Sequence, residues 1–127
     1  MTLSVDVPED ACFVEADRVQ LARVVANLIT NAMRHNPAGT EIALMLARQA
    51  GVAYVIVADT GEPIAQDPDE LFRPFSRGDV ARRDTGGSGL GLSICKRVAD
   101  MHGFDLTLEQ PYGRFTKAFA LKCRVAS

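Results

Sequence analysis

Gly86-Gly87-Ser88-Gly89-Leu90-Gly91 runs directly into Leu92-Ser93-Ile94-Cys95-Lys96-Arg97-Val98-Ala99, and this junction decides the kind of fold the chain adopts. Four glycines in six residues are a poor choice for packing. At the start of a helix they present free backbone N–H groups and the positive end of the macrodipole to an anion. The run lacks the Gly-Lys-Ser/Thr ending of a P-loop. It also lacks the G-x-G-x-x-G spacing of a dinucleotide fold, and it follows the charged Arg82-Arg83-Asp84 instead of a first strand. The stretch therefore points to phosphate binding on neither of the two commonest nucleotide folds.

Downstream, Ser88 to His102 has helical periodicity, with Leu92, Cys95, Val98, Ala99 and His102 on one face and Gly103 as the stop. Asp105 to Gln110 and Arg114 to Cys123 alternate as a closing antiparallel pair. Upstream, Thr60 to about Gly87 is irregular and rich in Gly, Pro, Asp and Arg, a length that marks a functional or mobile loop. Val52 to Asp59 reads as a strand, so apolar that both faces should be covered, and Thr40 to Arg48 as its hairpin partner through Gln49-Ala50-Gly51. Asp17 opens a helix that reaches about Asn36, where Pro37-Ala38-Gly39 stops it. Leu3 to Val7 and Cys12 to Glu15 are short β-prone runs separated by Pro8-Glu9-Asp10. Helices and hairpins in this irregular alternation predict an α+β fold, a two-layer α/β sandwich, not a doubly wound sheet.

With 127 residues, 47% of them hydrophobic and 24% charged, the chain suits one ordinary globular domain over 1–127. A net charge of −2 carries no basic field, which argues against a nucleic-acid partner. Cys12, Cys95 and Cys123 have no C-x-x-C spacing, so they read as buried thiols of a reducing cytosol, not as zinc ligands or a disulfide framework. No apolar run reaches the ~18 residues of a membrane span. Met1 to Asp6 lacks the features of a signal peptide. The expected location is cytoplasmic, whether or not a parent protein is anchored in the inner membrane.

On the first helix, Leu21, Val25, Leu28 and Ala32 form the expected core face. Beside it Asn27 and Asn31 stand one turn apart, and Arg34 and His35 continue the polar stripe. Such a stripe suits a metal–phosphate group: an amide oxygen is a hard, neutral ligand for Mg²⁺, a guanidinium pairs with phosphate, and an imidazole lies flat against a base. A solvated helix flank has the same composition. Asp59-Thr60-Gly61 follows the apolar strand, where a carboxylate can accept from an exocyclic amine and a glycine lets the backbone approach a flat ring. An Asx-type turn capping the strand explains Asp-x-Gly equally well.

Taken in order, these pieces resemble the histidine-kinase branch of the superfamily that holds DNA gyrase, Hsp90 and MutL. Asn27-Leu28-Ile29-Thr30-Asn31-Ala32-Met33-Arg34-His35 is similar to the N box, Asp59-Thr60-Gly61 to the first glycine box, Leu71-Phe72-Arg73-Pro74-Phe75 to the F box, and Gly87-Ser88-Gly89-Leu90-Gly91-Leu92 to the second glycine box. The resemblance runs from about Val14 to Phe119. It implies a Bergerat-type sandwich, a mixed and mostly antiparallel sheet under about three helices, with ATP and Mg²⁺ as ligands. It implies Asn31 as the metal ligand, Asn27 supporting metal and phosphates, Arg34 on phosphate, His35 near adenine, and Asp59 with Gly61 at the adenine amine. Gly87, Gly89, Leu90 and Gly91 would offer N–H groups to the phosphates, and Phe75 to Gly87 would form a lid anchored by Phe72 and Phe75.

In the hydrolysing relatives a glutamate stands four residues before the metal-binding asparagine. Here that position is Asn27, which cannot take a proton from water at neutral pH. The resemblance is therefore to the kinases, and the implied reaction is transfer of the γ-phosphate to a histidine on a dimerisation and histidine-phosphotransfer domain, with a response regulator as an indirect partner. Neither His35 nor His102 lies in a phosphoacceptor motif, so the chain is expected to be an excised, monomeric catalytic domain with no catalytic residue of its own and little turnover alone. For His102 a partly buried structural role is expected.

Two departures from the family pattern stand out. Pro63 occupies the usual place of a second glycine and can neither donate nor copy its backbone freedom. Gly113-Arg114-Phe115-Thr116 only approximates the family's Gly-Thr ending, and Thr116 receives no role. The rival expectation is a nucleotide-blind regulatory module of the same fold, disabled at Pro63. An ATPase or serine kinase of the superfamily is a third, disfavoured by Asn27.

Overall fold

The computed structural model describes residues 2–6, 16–73 and 91–124. Their elements are β1 (Thr2–Asp6), α1 (Arg18–His35), β2 (Glu41–Gln49), β3 (Val52–Asp59), α2 (Pro68–Leu71), α3 (Gly91–Met101), β4 (Asp105–Glu109) and β5 (Lys117–Arg124). The strands form one five-stranded sheet in the order β1-β2-β3-β5-β4. β1 runs parallel to β2, and every other neighbouring pair is antiparallel. This is the mixed, mostly antiparallel sheet under three helices that the sequence led us to expect.

Local chemistry accounts for the element ends. Asp17 caps α1, its carboxylate accepting from Gln20 N at 3.1 Å, and the helix ends at Asn36 ahead of Pro37. The β2–β3 hairpin closes through Ala50 (φ 52°) and Gly51 (φ 79°), the two left-handed residues of a type I′ turn. Gly103 (φ 70°) stops α3, and Phe104 N donates back to Ala99 O at 2.9 Å. α2 lies inside the stretch expected to be irregular. Its signal was Asp67-Pro68: the Asp67 carboxylate accepts from Asp69 N at 2.8 Å, and proline opens the first turn.

The helices pack on one face of the sheet. Val24, Leu28 and Ala32 of α1, Leu71 of α2, and Leu92, Cys95, Val98 and Ala99 of α3 share a core with Ile42, Val57, Leu106, Phe119, Leu121 and Cys123. The α1 seam is centred on Val24, buried, and not on Val25, half-buried. The cause is that α1 meets α3 as well as the sheet, and the Cys95 thiol donates to Val24 O at 3.7 Å. On the other sheet face Ala43, Ile56, Ala58, Phe115, Ala118 and Ala120 form a second, smaller cluster. β3 is thus covered on both faces over its second half, as its apolar run implied.

β5 begins at Lys117, so Arg114 to Thr116 belong to the approach and not to the strand. Thr116 N donates to Asp59 O at 2.9 Å. Cys95 and Cys123 are buried and in no disulfide. No helix among the described residues is long and apolar enough to cross a membrane. The expected strand at Cys12–Glu15, the expected lid at Phe75–Gly87 and the first residues of the helix expected from Ser88 lie outside the described residues.

Candidate functional site

Asp59 ends β3 on the helix-facing side, in the same alternation as Val57, and its side chain is only 2% exposed. Its Oδ1 accepts from Gly61 N at 2.9 Å, so the Asx-type turn left open by the sequence is present. The same oxygen accepts from Lys117 Nζ at 2.8 Å. Lys117 lies directly across the ladder from Asp59, in the alternation of Phe119, Leu121 and Cys123, and its side chain is 5% exposed. No motif in the sequence marks Lys117. A lysine in register with three buried positions was the available signal, because a buried ammonium demands acceptors.

Those acceptors are complete. Lys117 Nζ also donates to Asn36 Oδ1 at 3.0 Å and to the Glu62 carbonyl. Asn36, the residue that ends α1, donates from Nδ2 to Ala32 O at 2.9 Å and accepts from Glu62 N at 3.3 Å. One ammonium thus ties together the end of α1, the end of β3 and the start of β5. Gly61 is dictated by this knot: a Cβ there would stand 2.0 Å from Asn36 Oδ1.

The loop beyond is pinned from the far side of the sheet. Ile64 N donates to Gln110 Oε1 at 2.7 Å, and Gln110 Nε2 donates to Ile64 O at 2.9 Å, the pattern of a strand partner made by a side-chain amide. Pro63 sits between two residues whose N–H groups are both accepted, so its missing donor leaves no local bond unmade. Thr60 closes the near side, with Thr60 N donating to Glu41 O at 3.0 Å and Glu41 N to Thr60 Oγ1 at 2.9 Å.

Asn27 and Asn31 are half-buried on the flank of α1 next to Val24, the flank that meets α3. The Asn27 amide lies beside the Cys95 sulfur. Burial pushes that thiol from an ordinary 9.0 up to about 12, against the pull of Asn27 and of Arg23. Arg34 is exposed and His35 half-buried in the last turn, one residue before Asn36. The structure therefore brings Asn31 and His35 to the same end of α1 as Asp59 and Gly61, while Asn27 sits deeper along the α1–α3 contact.

Gly91 is the first residue of α3, whose leading N–H groups have no intrahelical partner. A Cβ there would meet nothing within 4 Å among the described residues. Gly87, Gly89 and Leu90 lie outside the described residues, as does Phe75. Phe72 is buried against Phe119, ring centroids 6.1 Å apart, which suits an anchor and not a nucleotide contact. His102 is half-buried and structural: Nδ1 bonds Val98 O at 2.8 Å, while Nε2 accepts from Asp17 N at 3.0 Å.

The donor chemistry fits Mg²⁺ carried in with a nucleotide. Among the described residues no three His, Cys, Asp or Glu side chains converge, and a metal arriving with a nucleotide would need only a neutral amide beside the nucleotide's own oxygens.

Residues 16–126 match the family model described as histidine kinase-, DNA gyrase B-, and HSP90-like ATPase. The histidine protein kinase DivJ of Caulobacter vibrioides is 34% identical over 111 residues, covering 87% of this chain and 19% of DivJ. Among solved structures, the mycobacterial sensor histidine kinase MprB superposes with a TM-score of 0.80 at 28% identity, over 98% of this chain and 81% of that one. Histidine kinase ThkA in complex with response regulator protein TrrA gives 0.74 at 25% identity, over 98% of this chain and 34% of that one. The chain spans roughly a fifth to a quarter of the curated relatives it matches. Sheet order, the placement of the N-box helix and these likenesses agree: the chain belongs to the histidine kinase-, DNA gyrase B- and HSP90-like ATPase family, as a catalytic domain of the sensor-histidine-kinase type.

Proposed function

We propose that this chain binds ATP with Mg²⁺ and presents the γ-phosphate to a histidine on a separate dimerisation domain, in a two-component pathway that ends on a response regulator. The observation that carries the reading is the Asp59 carboxylate, buried at the end of β3 and backed by Gly61 N, at the same end of α1 as Asn31 and His35.

Each residue has a defined task. Asp59 accepts from the adenine amine, and Gly61 keeps the chain low beneath the base. Asn31 gives an amide oxygen to the metal, with Asn27 behind it, and Arg34 pairs with phosphate oxygens. The first N–H groups of α3, from Gly91, together with Gly87, Gly89 and Leu90, hold phosphate oxygens by backbone donation. Mg²⁺, when bound, neutralises charge that develops on the phosphates, and the protein's contribution is position and dipoles. Asn27 has no basic oxygen to activate water, so transfer to an imidazole is favoured over hydrolysis.

Calorimetric titration with a non-hydrolysable ATP analogue, with and without Mg²⁺, tests this. Asp59→Asn should weaken binding in both conditions, while Asn31→Ala should weaken it more with metal than without. A folded wild-type chain that binds no nucleotide would overturn the proposal and favour the regulatory-module reading.

A further inference from the structure

Lys117 is a buried cation that the proposed mechanism leaves unused. Its three N–H donors reach Asp59 Oδ1, Asn36 Oδ1 and the Glu62 carbonyl, so none remains for a ligand. Both donors to Asp59 among the described residues, Lys117 Nζ and Gly61 N, converge on the same oxygen, Oδ1.

We propose that Lys117 is the positioning residue for base recognition: by saturating Oδ1 it keeps the Asp59 carboxylate charged and fixed, and dedicates Oδ2 to a single N–H donor on the base. The inference rests on the reading of Asp59 as the adenine contact. A carboxylate this deep is stable as an anion only with a counter-charge. Were the ammonium absent, the carboxyl would take up a proton and become a donor. The pocket would then stop selecting adenine, which offers an amine at position 6, and would accept hypoxanthine, which offers a carbonyl oxygen there. Lys117 thus sets the sign of the base-reading group without touching the base.

The other charged groups nearby leave this role to Lys117. Glu41 and Arg114 pair with each other at the rim. Glu62 gives its backbone to the knot, and as a residue it is exposed. His35 stands one residue before Asn36, so any pH effect must be read as a difference between variants that share it.

The test is titration of the full chain with ADP and with inosine diphosphate at about pH 6, 7.5 and 9, values that bracket ordinary carboxyl uptake in a buried site. The unaltered chain should prefer ADP throughout. Lys117→Met, checked for folding, should lose ADP affinity roughly ten- to hundredfold at the lowest pH, the worth of one charge-assisted hydrogen bond. It should gain on inosine diphosphate and regain ADP binding as pH rises, relative to the unaltered chain. Lys117→Arg should keep the ADP preference.

A folded Lys117→Met chain with the unaltered base preference and pH profile would overturn the inference while the ATP reading stands. An unaltered chain that binds neither nucleotide would sink the ATP reading, and this inference with it. Should Lys117→Met fail to fold, carbon-13 NMR of the Asp59 carboxyl in the unaltered chain decides. An ionised signal that moves on adding ADP supports the role. A protonated signal, or one that stays put while ADP binds, overturns it.

Discussion

Lys117→Met should destabilise the fold strongly, because Lys117 is one of three buried polar or charged residues among those described. The pair it breaks is dry, with side chains 5% and 2% exposed, so water cannot take over the lost contacts. Three acceptors lose a donor at once: Asp59 Oδ1 and Asn36 Oδ1 keep one backbone N–H each, and the Glu62 carbonyl loses its bond to Nζ. Removing one partner of a buried pair strands the other in a dry site, and holding it there unpaired or neutralising it costs roughly 3–5 kcal/mol. At about 0.05–0.15 kcal/mol per residue a chain of this length holds roughly 6–19 kcal/mol, so the variant should remain folded but with a visibly lower urea midpoint. The decisive comparison is Lys117→Met with Asp59→Leu, alone and together, by equilibrium urea unfolding. The double variant replaces the ion pair by two apolar side chains and should be at least ~2 kcal/mol less destabilised than the sum of the singles, since neither member is then left unpaired. A loss under ~1 kcal/mol for Lys117→Met, or simple additivity in the cycle, would refute the reasoning that this pair is a desolvated unit.

Ala50 holds a left-handed φ of 52° ahead of Gly51. Ala50→Asn supplies the side chain that a type I′ turn prefers and should raise urea stability by roughly 0.5–1 kcal/mol. Gly61→Ala drives a Cβ into the Asn36 amide. It should lower stability by about 1–3 kcal/mol and weaken ATP-analogue binding, with the stability loss only partly relieved in the Asn36→Ala background, where the amide is gone but the residue 36 Cβ still stands 2.9 Å away. Cys95, with its thiol pushed up to about 12, should resist iodoacetamide in the folded chain at alkaline pH, as peptide mass spectrometry can read out. The sign for stability follows: the unfolded thiol ionises near 9 and the folded one does not, so Cys95 favours folding fully below that pH and progressively less above it, by about 1.4 kcal/mol per pH unit. A flat urea midpoint between about pH 9 and 11 in the wild type, identical to that of Cys95→Ala, would contradict the burial argument.

The sequence alone determined the elements whose signals are local. The bounds of β3, the Asp17 cap, the apolar face of α3 and the Gly103 stop are written in neighbouring residues, as periodicity, caps and turn chemistry, and the structure has them where the sequence puts them. The Asn27 and Asn31 stripe was legible because i,i+4 spacing fixes its place on a helix whatever the helix packs against. The core seam of α1 was legible only to within one residue, since the second surface it meets, α3, lies far along the chain.

What only the tertiary structure decided is pairing. The residues 117, 119, 121 and 123 share a face by alternation, but nothing local says which residue of another strand stands opposite Lys117. That partner is Asp59, 58 positions away, and the choice follows from the register of the whole sheet. The same holds for Asn36 at the ammonium, for Gln110 clamping Ile64, and for His102 accepting from Asp17 across 85 positions. Strand parity is a property of one segment, whereas register is fixed by burying every apolar face at once, and so the polar knot behind Asp59 emerges only with the assembled sheet.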